Sequence, residues 1–196
     1  MPRNGAEARN RLERAALELY GERGYDQTTT AEIAARAGVT ERTFFRHFAD
    51  KREVLFNVEV NLRAAMARAL AAVPDTVPPL TAMLQAFRSM VPDLESTRAV
   101  AEARHRVIAA SPALRERELT KAAAMSVVVA DALRARGLPD RRATLLADVS
   151  TAALGHAIHT WVADPSSDLD ALLVGAFADL RDLSSVAIAP EPATRR

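Results

Sequence analysis

The chain has 196 residues, 49% of them hydrophobic, a net charge of +1 and no cysteine. That length is enough to bury a sizeable core in one or two domains, and the missing cysteines exclude disulfides, thiolate zinc sites and cysteine nucleophiles. With ten basic and eight acidic side chains in residues 1–52, against sixteen and seventeen beyond, any nucleic-acid binding must rest on a few well-placed groups.

The N-terminus is charged every few residues and lacks an apolar signal core, and no segment holds the roughly 18 apolar residues of a membrane span. A soluble cytoplasmic protein is expected. Proline punctuates long apolar-periodic segments and no run of alternating β-branched residues occurs, so the fold class expected is all-α with about nine helices.

From Ala6 to about Arg23, Leu12, Ala15, Ala16 and Leu19 recur at helical spacing until Gly24. Thr29 followed by Glu32 is a capping-box pattern that opens a short second helix, closed at Gly38. Thr40 caps a third helix through about Phe48, and Asp50 caps a long fourth with the stripe Leu55, Val58, Leu62, Ala65 and Ala69, ending before Pro74. Further helices are expected at about 78–91, 94–110, 112–136, 140–163 and 168–183. The composition from 185 to 196 reads as a disordered tail.

Two short helices around a tight turn, the second polar and basic, describe a helix-turn-helix whose second helix lies in the DNA major groove. Phe44 and Phe48 share one face of that helix, while Arg42, Thr43 and Arg46 point elsewhere.

From about residue 8 to 56 the chain, through ALELYGERGYDQTTTAEIAARAGVTERTFFRHFADKREVL, resembles the DNA-binding domain of the tetracycline-repressor family of bacterial regulators. Within that family TFFRHF and the following helices look most like an actinobacterial branch that includes regulators of the mycofactocin system. The resemblance implies a DNA-binding domain over 1–52 and a ligand-binding and dimerisation domain over 53–184, with double-stranded operator DNA, a small-molecule effector and a second copy as partners.

Carried over by position, the resemblance makes Thr30 a phosphate contact at the start of the second helix. Arg42 and Thr43 become base-edge readers, the arginine fork fitting guanine O6 and N7. His47 and Lys51 meet phosphates, with His47 also readable as a structural hydrogen-bonder, and Arg46 reaches phosphate or base. Phe45 departs from the pattern, because the family commonly carries a tyrosine there whose hydroxyl touches the DNA backbone.

In the second domain Met66, Leu84, Phe87, Ile108, Met125 and Trp161 form an apolar set that suits a guest or, equally, a plain core. His105 lies between Arg104 and Arg106, a grouping that suits an acidic ligand head and reads equally as surface arginines beside a hydrogen-bonded core histidine. His156 and His159 stand three apart without an evident carboxylate or cysteine partner, so no metal and no cofactor is expected. The small-residue face of that helix, with Leu172, Ala176 and Phe177 of the last, is expected to make a two-fold interface. No GxSxG, HExxH or phosphate-binding glycine loop occurs, and no enzyme is expected. The reading is a regulator, a repressor released from a palindromic operator by an apolar or acidic-apolar effector. The alternative is a helical small-molecule- or partner-binding protein with a vestigial helix-turn-helix.

Overall fold

The computed structural model describes residues 3–56 and 58–184. The tail expected over 185–196 lies outside the described residues. Among the described residues eleven helical segments follow one another: α1 (Arg3–Arg23), α2 (Thr30–Arg36), α3 (Glu41–His47), α4 (Glu53–Phe56), α5 (Val58–Ala72), α6 (Pro79–Arg88), α7 (Val91–Ser96), α8 (Arg98–Ala109), α9 (Pro112–Ala135), α10 (Asp140–Ala163) and α11 (Leu169–Ser184). No strand occurs among the described residues. The count exceeds the nine expected. A short α7 starts at Val91 with Pro92 in its first turn, a position where proline's missing N–H costs nothing. What reads as one long fourth helix is labelled α4 and α5 on either side of residue 57.

The helix ends form where local chemistry sets them. At α2 the Thr29 side chain accepts from the Glu32 amide while Glu32 accepts from the Thr29 amide, a complete capping box. Its other end closes as a Schellman turn, with the Gly38 amide donating to Ala35 at 3.1 Å and the Val39 amide to Ala34 at 2.9 Å. Gly38 has φ +67°, the left-handed conformation that a Cβ penalises, so glycine is what lets the chain turn this sharply into α3. Thr40 then caps α3 by accepting from the Thr43 amide.

Two hydrophobic clusters organise the molecule. One joins Leu12, Ala16 and Leu19 of α1 to Ile33, Phe44, Phe48 and the three apolar residues of α4. The other gathers Met66, Leu70, Met83, Phe87, Met125, Val129, Trp161, Leu173 and Phe177. α10 packs most extensively on α9 and α11 and is the spine of this second unit. The units are not strictly sequential: Val107, Ile108 and Leu114, at the junction of α8 and α9, belong to the first cluster. They plug the base of the N-terminal unit, which therefore completes its core with side chains from the second.

Candidate nucleic-acid interface and effector site

Helix α3 is held by one face and open on the other. Phe44 and Phe48 are buried, their rings 5.6 Å apart, and burial of two such rings, each worth about 3–5 kcal/mol against alanine, fixes the helix on its domain. Arg42, Phe45 and Arg46 lie on the opposite, exposed side. Phe45 is 54% exposed and meets Phe44 edge to face at 5.5 Å. Neither Arg42 nor Arg46 is ion-paired among the described residues, whereas Arg23, Arg36 and Arg52 all hold carboxylates. The open face of α3 thus offers two uncommitted guanidinium forks.

The other expected contacts are more constrained. Thr30 donates its hydroxyl to the Glu41 carboxylate at 2.5 Å, so an acid at the first turn of α3 occupies the group expected to meet phosphate. Thr43 pairs its hydroxyl with that of Thr40 at 3.0 Å. His47 is half-buried, with Nε2 enclosed and without a partner among the described residues. Burial, then the charges of Arg46 and Arg9, push its pKa below the ordinary imidazole value, which makes it a neutral ring at pH 7.

Lys51, expected to meet phosphate, is turned inward in the structure. Its ammonium donates to the carbonyls of Tyr25, Asp26 and Thr28 at 2.9, 3.2 and 2.9 Å and lies 4.4 Å from the centre of the Tyr25 ring. Without DNA, its three N–H donors are spent on the loop that precedes α2. The Lys51 carbonyl in turn accepts from the buried Tyr20 hydroxyl at 2.6 Å. Burial raises the Tyr20 pKa and keeps that phenol a donor. Thr28, wholly buried, donates to the Gly24 carbonyl at 2.9 Å. The sequence signalled none of Tyr20, Thr28 or Glu41; the partners of Tyr20 and Glu41 lie 31 and 11 residues away.

In the second unit Met66, Phe87, Met125 and Trp161 come together in one cluster with Leu84 packed against it. Ile108, expected with this set, lies instead in the N-terminal unit's cluster, because the end of α8 runs under α1. A cleft of about 540 Å³ opens beside α6 and α11, lined by Gln85, Arg88, Ser89, Val91, Pro92 and Asp170, and none of the expected ligand residues borders it. Trp161 is 1% exposed and its indole N–H has no partner among the described residues. The Arg98 guanidinium stacks 4.7 Å from the ring while donating to the carbonyls of Trp161, Asp164 and Ser167 at the end of α10. His105 does not sit among apolar residues alone: its ring faces that of His159 at 5.2 Å, across from Glu118. Burial first and the His159 charge second lower its pKa.

The last helices also depart from expectation. Phe177 is buried against Phe87 within the chain and is not free for a second copy, whereas Leu172 and Ala176 pack on the same core only partly buried. The exposed large hydrophobic residues of α10 and α11 are Leu145, Val174 and Leu183.

Between the units runs a charged seam. Glu53 receives Arg117 at 2.6 Å and Lys121 at 3.2 Å, and Arg104 donates to the Leu55 carbonyl at 2.6 Å. Burial raises the Glu53 pKa, but the hydrogen bonds from Arg117 and Lys121 outweigh it and the net shift is downward.

Residues 13–58 match the family described as bacterial regulatory proteins, tetR family, and residues 77–184 match the MftR C-terminal domain. The HTH-type transcriptional regulator TcmR of Streptomyces glaucescens is 43% identical over 83 residues, covering 42% of this chain and 37% of TcmR. The HTH-type transcriptional activator FasR of Mycolicibacterium smegmatis is 35% identical over 91 residues, covering 44% and 41%. The chain thus spans about two fifths of the length of these curated relatives. Two solved structures share the fold: Thermus thermophilus FadR in complex with lauroyl-CoA (22% identity, TM-score 0.58, 96% of this chain and 100% of that one) and Stenotrophomonas maltophilia SmeT (22%, 0.55, 95% and 94%). No described helix is long and apolar enough to cross a membrane. With its capped helix-turn-helix in front of an MftR-type helical domain, the chain belongs to the tetR family of bacterial regulatory proteins.

Proposed function

We propose that the protein is a homodimeric, effector-controlled transcriptional regulator that represses from a palindromic operator. The observation that carries this is the open face of α3, where Arg42 and Arg46 stand exposed and unpaired opposite the buried Phe44 and Phe48. In the major groove Arg42 reads a guanine edge, Thr43 supplies a hydroxyl or methyl, and Arg46 meets phosphate or base. Phe45 covers a sugar or a thymine methyl. Thr30 reaches phosphate when Glu41 turns away from it, and neutral His47 stands behind as a shape contact. Lys51 acts through the loop it holds, which sets the start of α2.

TcmR and FasR carry transcriptional names, FasR as an activator, whereas FadR and SmeT are repressors, FadR bound to lauroyl-CoA. Repression is carried over from FadR and SmeT, and an apolar or acidic-apolar effector from the methionine-bearing cluster of Met66, Phe87, Met125 and Trp161, with a second copy on Leu145 and Val174 of α10 and α11. The effector releases DNA by preferring a conformation whose two reading heads mismatch the half-site spacing. A gel-shift assay against the intergenic DNA beside the protein's own coding region tests the reading: retardation that competes away with the same fragment supports it, and none at low salt overturns it.

A further inference from the structure

A notch of about 270 Å³ opens on the N-terminal unit between α1 and α2, lined by none of the residues assigned so far to DNA or effector. Ala15 and Ala37 form its buried lining, and Arg11, Arg14, Glu18 and Arg36 its charged edge. Methyl groups at the bottom and guanidinium groups around them suit a compact anion and offer no apolar wall to a chain or ring.

The charges on that edge are not equally committed. Arg36 donates to both oxygens of Glu22 at 2.9 Å and reaches Glu18 at 3.4 Å, so its fork is neutralised within the chain. Glu18 stands four residues after Arg14, a spacing at which acid and base can pair along one helix, yet it turns to α2 instead. Arg11 and Arg14 are left exposed, three apart on one face of α1, without a carboxylate partner among the described residues. Like charges at that spacing repel each other, and an anion held between them removes the repulsion.

The notch adjoins the reading helix. Ala37 ends α2, Gly38 turns the chain, and Arg42 follows in the first turn of α3, five residues after Ala37. Leu12, Ala15 and Ala16 of α1 share one buried cluster with Ile33, Ala37 and Phe44, so the notch and the open face of α3 belong to one packed body.

We propose that this notch is a second DNA contact, in which Arg11 and Arg14 hold a phosphate of the strand that passes the turn between α2 and α3; this rests on the reading of the chain as a DNA-binding regulator. Guanidinium forks meet non-bridging oxygens that every nucleotide presents, so the contact adds grip without reading sequence. It supplies charge to a unit whose ten basic side chains are nearly matched by eight acidic ones. Glu18 and Glu22 limit the site, because they hold a third guanidinium, that of Arg36, away from the phosphate.

The test is fluorescence anisotropy of the full chain on the intergenic fragment of the gel shift and on a random duplex of equal length. A salt series is recorded for wild type, Arg11→Gln/Arg14→Gln and Glu18→Gln. The paired variant is expected to bind both duplexes about tenfold more weakly at low salt, with the slope of log affinity against log salt shallower by about one and the ratio between duplexes unchanged. Glu18→Gln is expected to bind both about threefold more tightly, because a like charge leaves the edge of the site. A change that merely loosened α1 on α2 would weaken binding, so the sign separates electrostatics from structure. Should the paired variant unfold by circular dichroism, Glu18→Gln carries the test. The proposal is overturned if the paired variant keeps wild-type affinity and salt slope, which would hand the notch to an acidic protein partner. It is overturned equally if the loss falls on the intergenic fragment alone, or if Glu18→Gln leaves binding unchanged or weakens it. An absence of DNA binding by the wild type at low salt overturns the proposed function instead, and that result is read before any variant is compared.

Discussion

The Glu41 carboxylate accepts the Thr30 hydroxyl at 2.5 Å, tying the first turn of the recognition helix to the first turn of the helix before it. This places a negative charge on the surface proposed to meet the phosphate backbone and holds a hydroxyl away from it. Glu41→Gln is therefore expected to raise affinity for random-sequence DNA by roughly three- to tenfold at low salt, since one like charge leaves the phosphate-facing surface. Fluorescence anisotropy on a random duplex checks it; unchanged affinity would mean that Glu41 lies clear of the phosphates.

Lys51 separates positioning from direct contact. A lysine that meets phosphate leaves a mark when removed, because the slope of log affinity against log salt falls by about one. Lys51 instead serves the carbonyls of Tyr25, Asp26 and Thr28. Lys51→Met is expected to cost about 1–3 kcal/mol of stability through three orphaned acceptors, and to weaken operator and random DNA alike with the salt slope unchanged. Thermal denaturation and a salt series read the two effects separately.

Glu53 makes stability depend on pH in a defined direction. Arg117 and Lys121 hold its carboxyl below the ordinary carboxylate pKa, so the folded state binds this proton more weakly than the unfolded chain does. The contribution is present above the unfolded glutamate value and is lost as pH falls through the folded one. Glu53→Gln should be less stable than wild type at pH 7, with the difference shrinking between about pH 5 and pH 3, as urea denaturation across that range would show.

Phe45 is a position where chemistry can be added. Its ring is exposed, edge-on to Phe44, and carries no hydroxyl where the family commonly has one. Phe45→Tyr is expected to tighten operator binding by about 0.5–1.5 kcal/mol if the place of that hydroxyl is empty. Unchanged affinity assigns the contact to Arg46 or to the ring itself.

The local part of the fold was legible in the sequence. Thr29 with Glu32, Gly38 at the turn, Thr40 before α3 and the Phe44/Phe48 spacing each act within one turn of chain, and each formed the cap, turn or buried face expected of it. The direction of long side chains was not legible. Lys51 turns inward to carbonyls 23 to 26 residues away, and Glu53 finds its partners 64 and 68 residues on, where no local pattern points. Ile108 went to the wrong cluster for the same reason. Helical spacing shows that a face is apolar but not which of two cores receives it. His159 read as a neighbour of His156 along one helix, whereas the fold sets it opposite His105 of another.

The central claim is that the open face of α3 reads base sequence through Arg42. The direct measurement is fluorescence anisotropy of wild type and Arg42→Ala on the operator and on a random duplex of equal length, in the same salt. The account expects a loss of about 1–3 kcal/mol on the operator and a much smaller one on random DNA, so that the ratio between the two collapses. Equal losses on both duplexes would contradict it and leave Arg42 as one more charge on the protein surface.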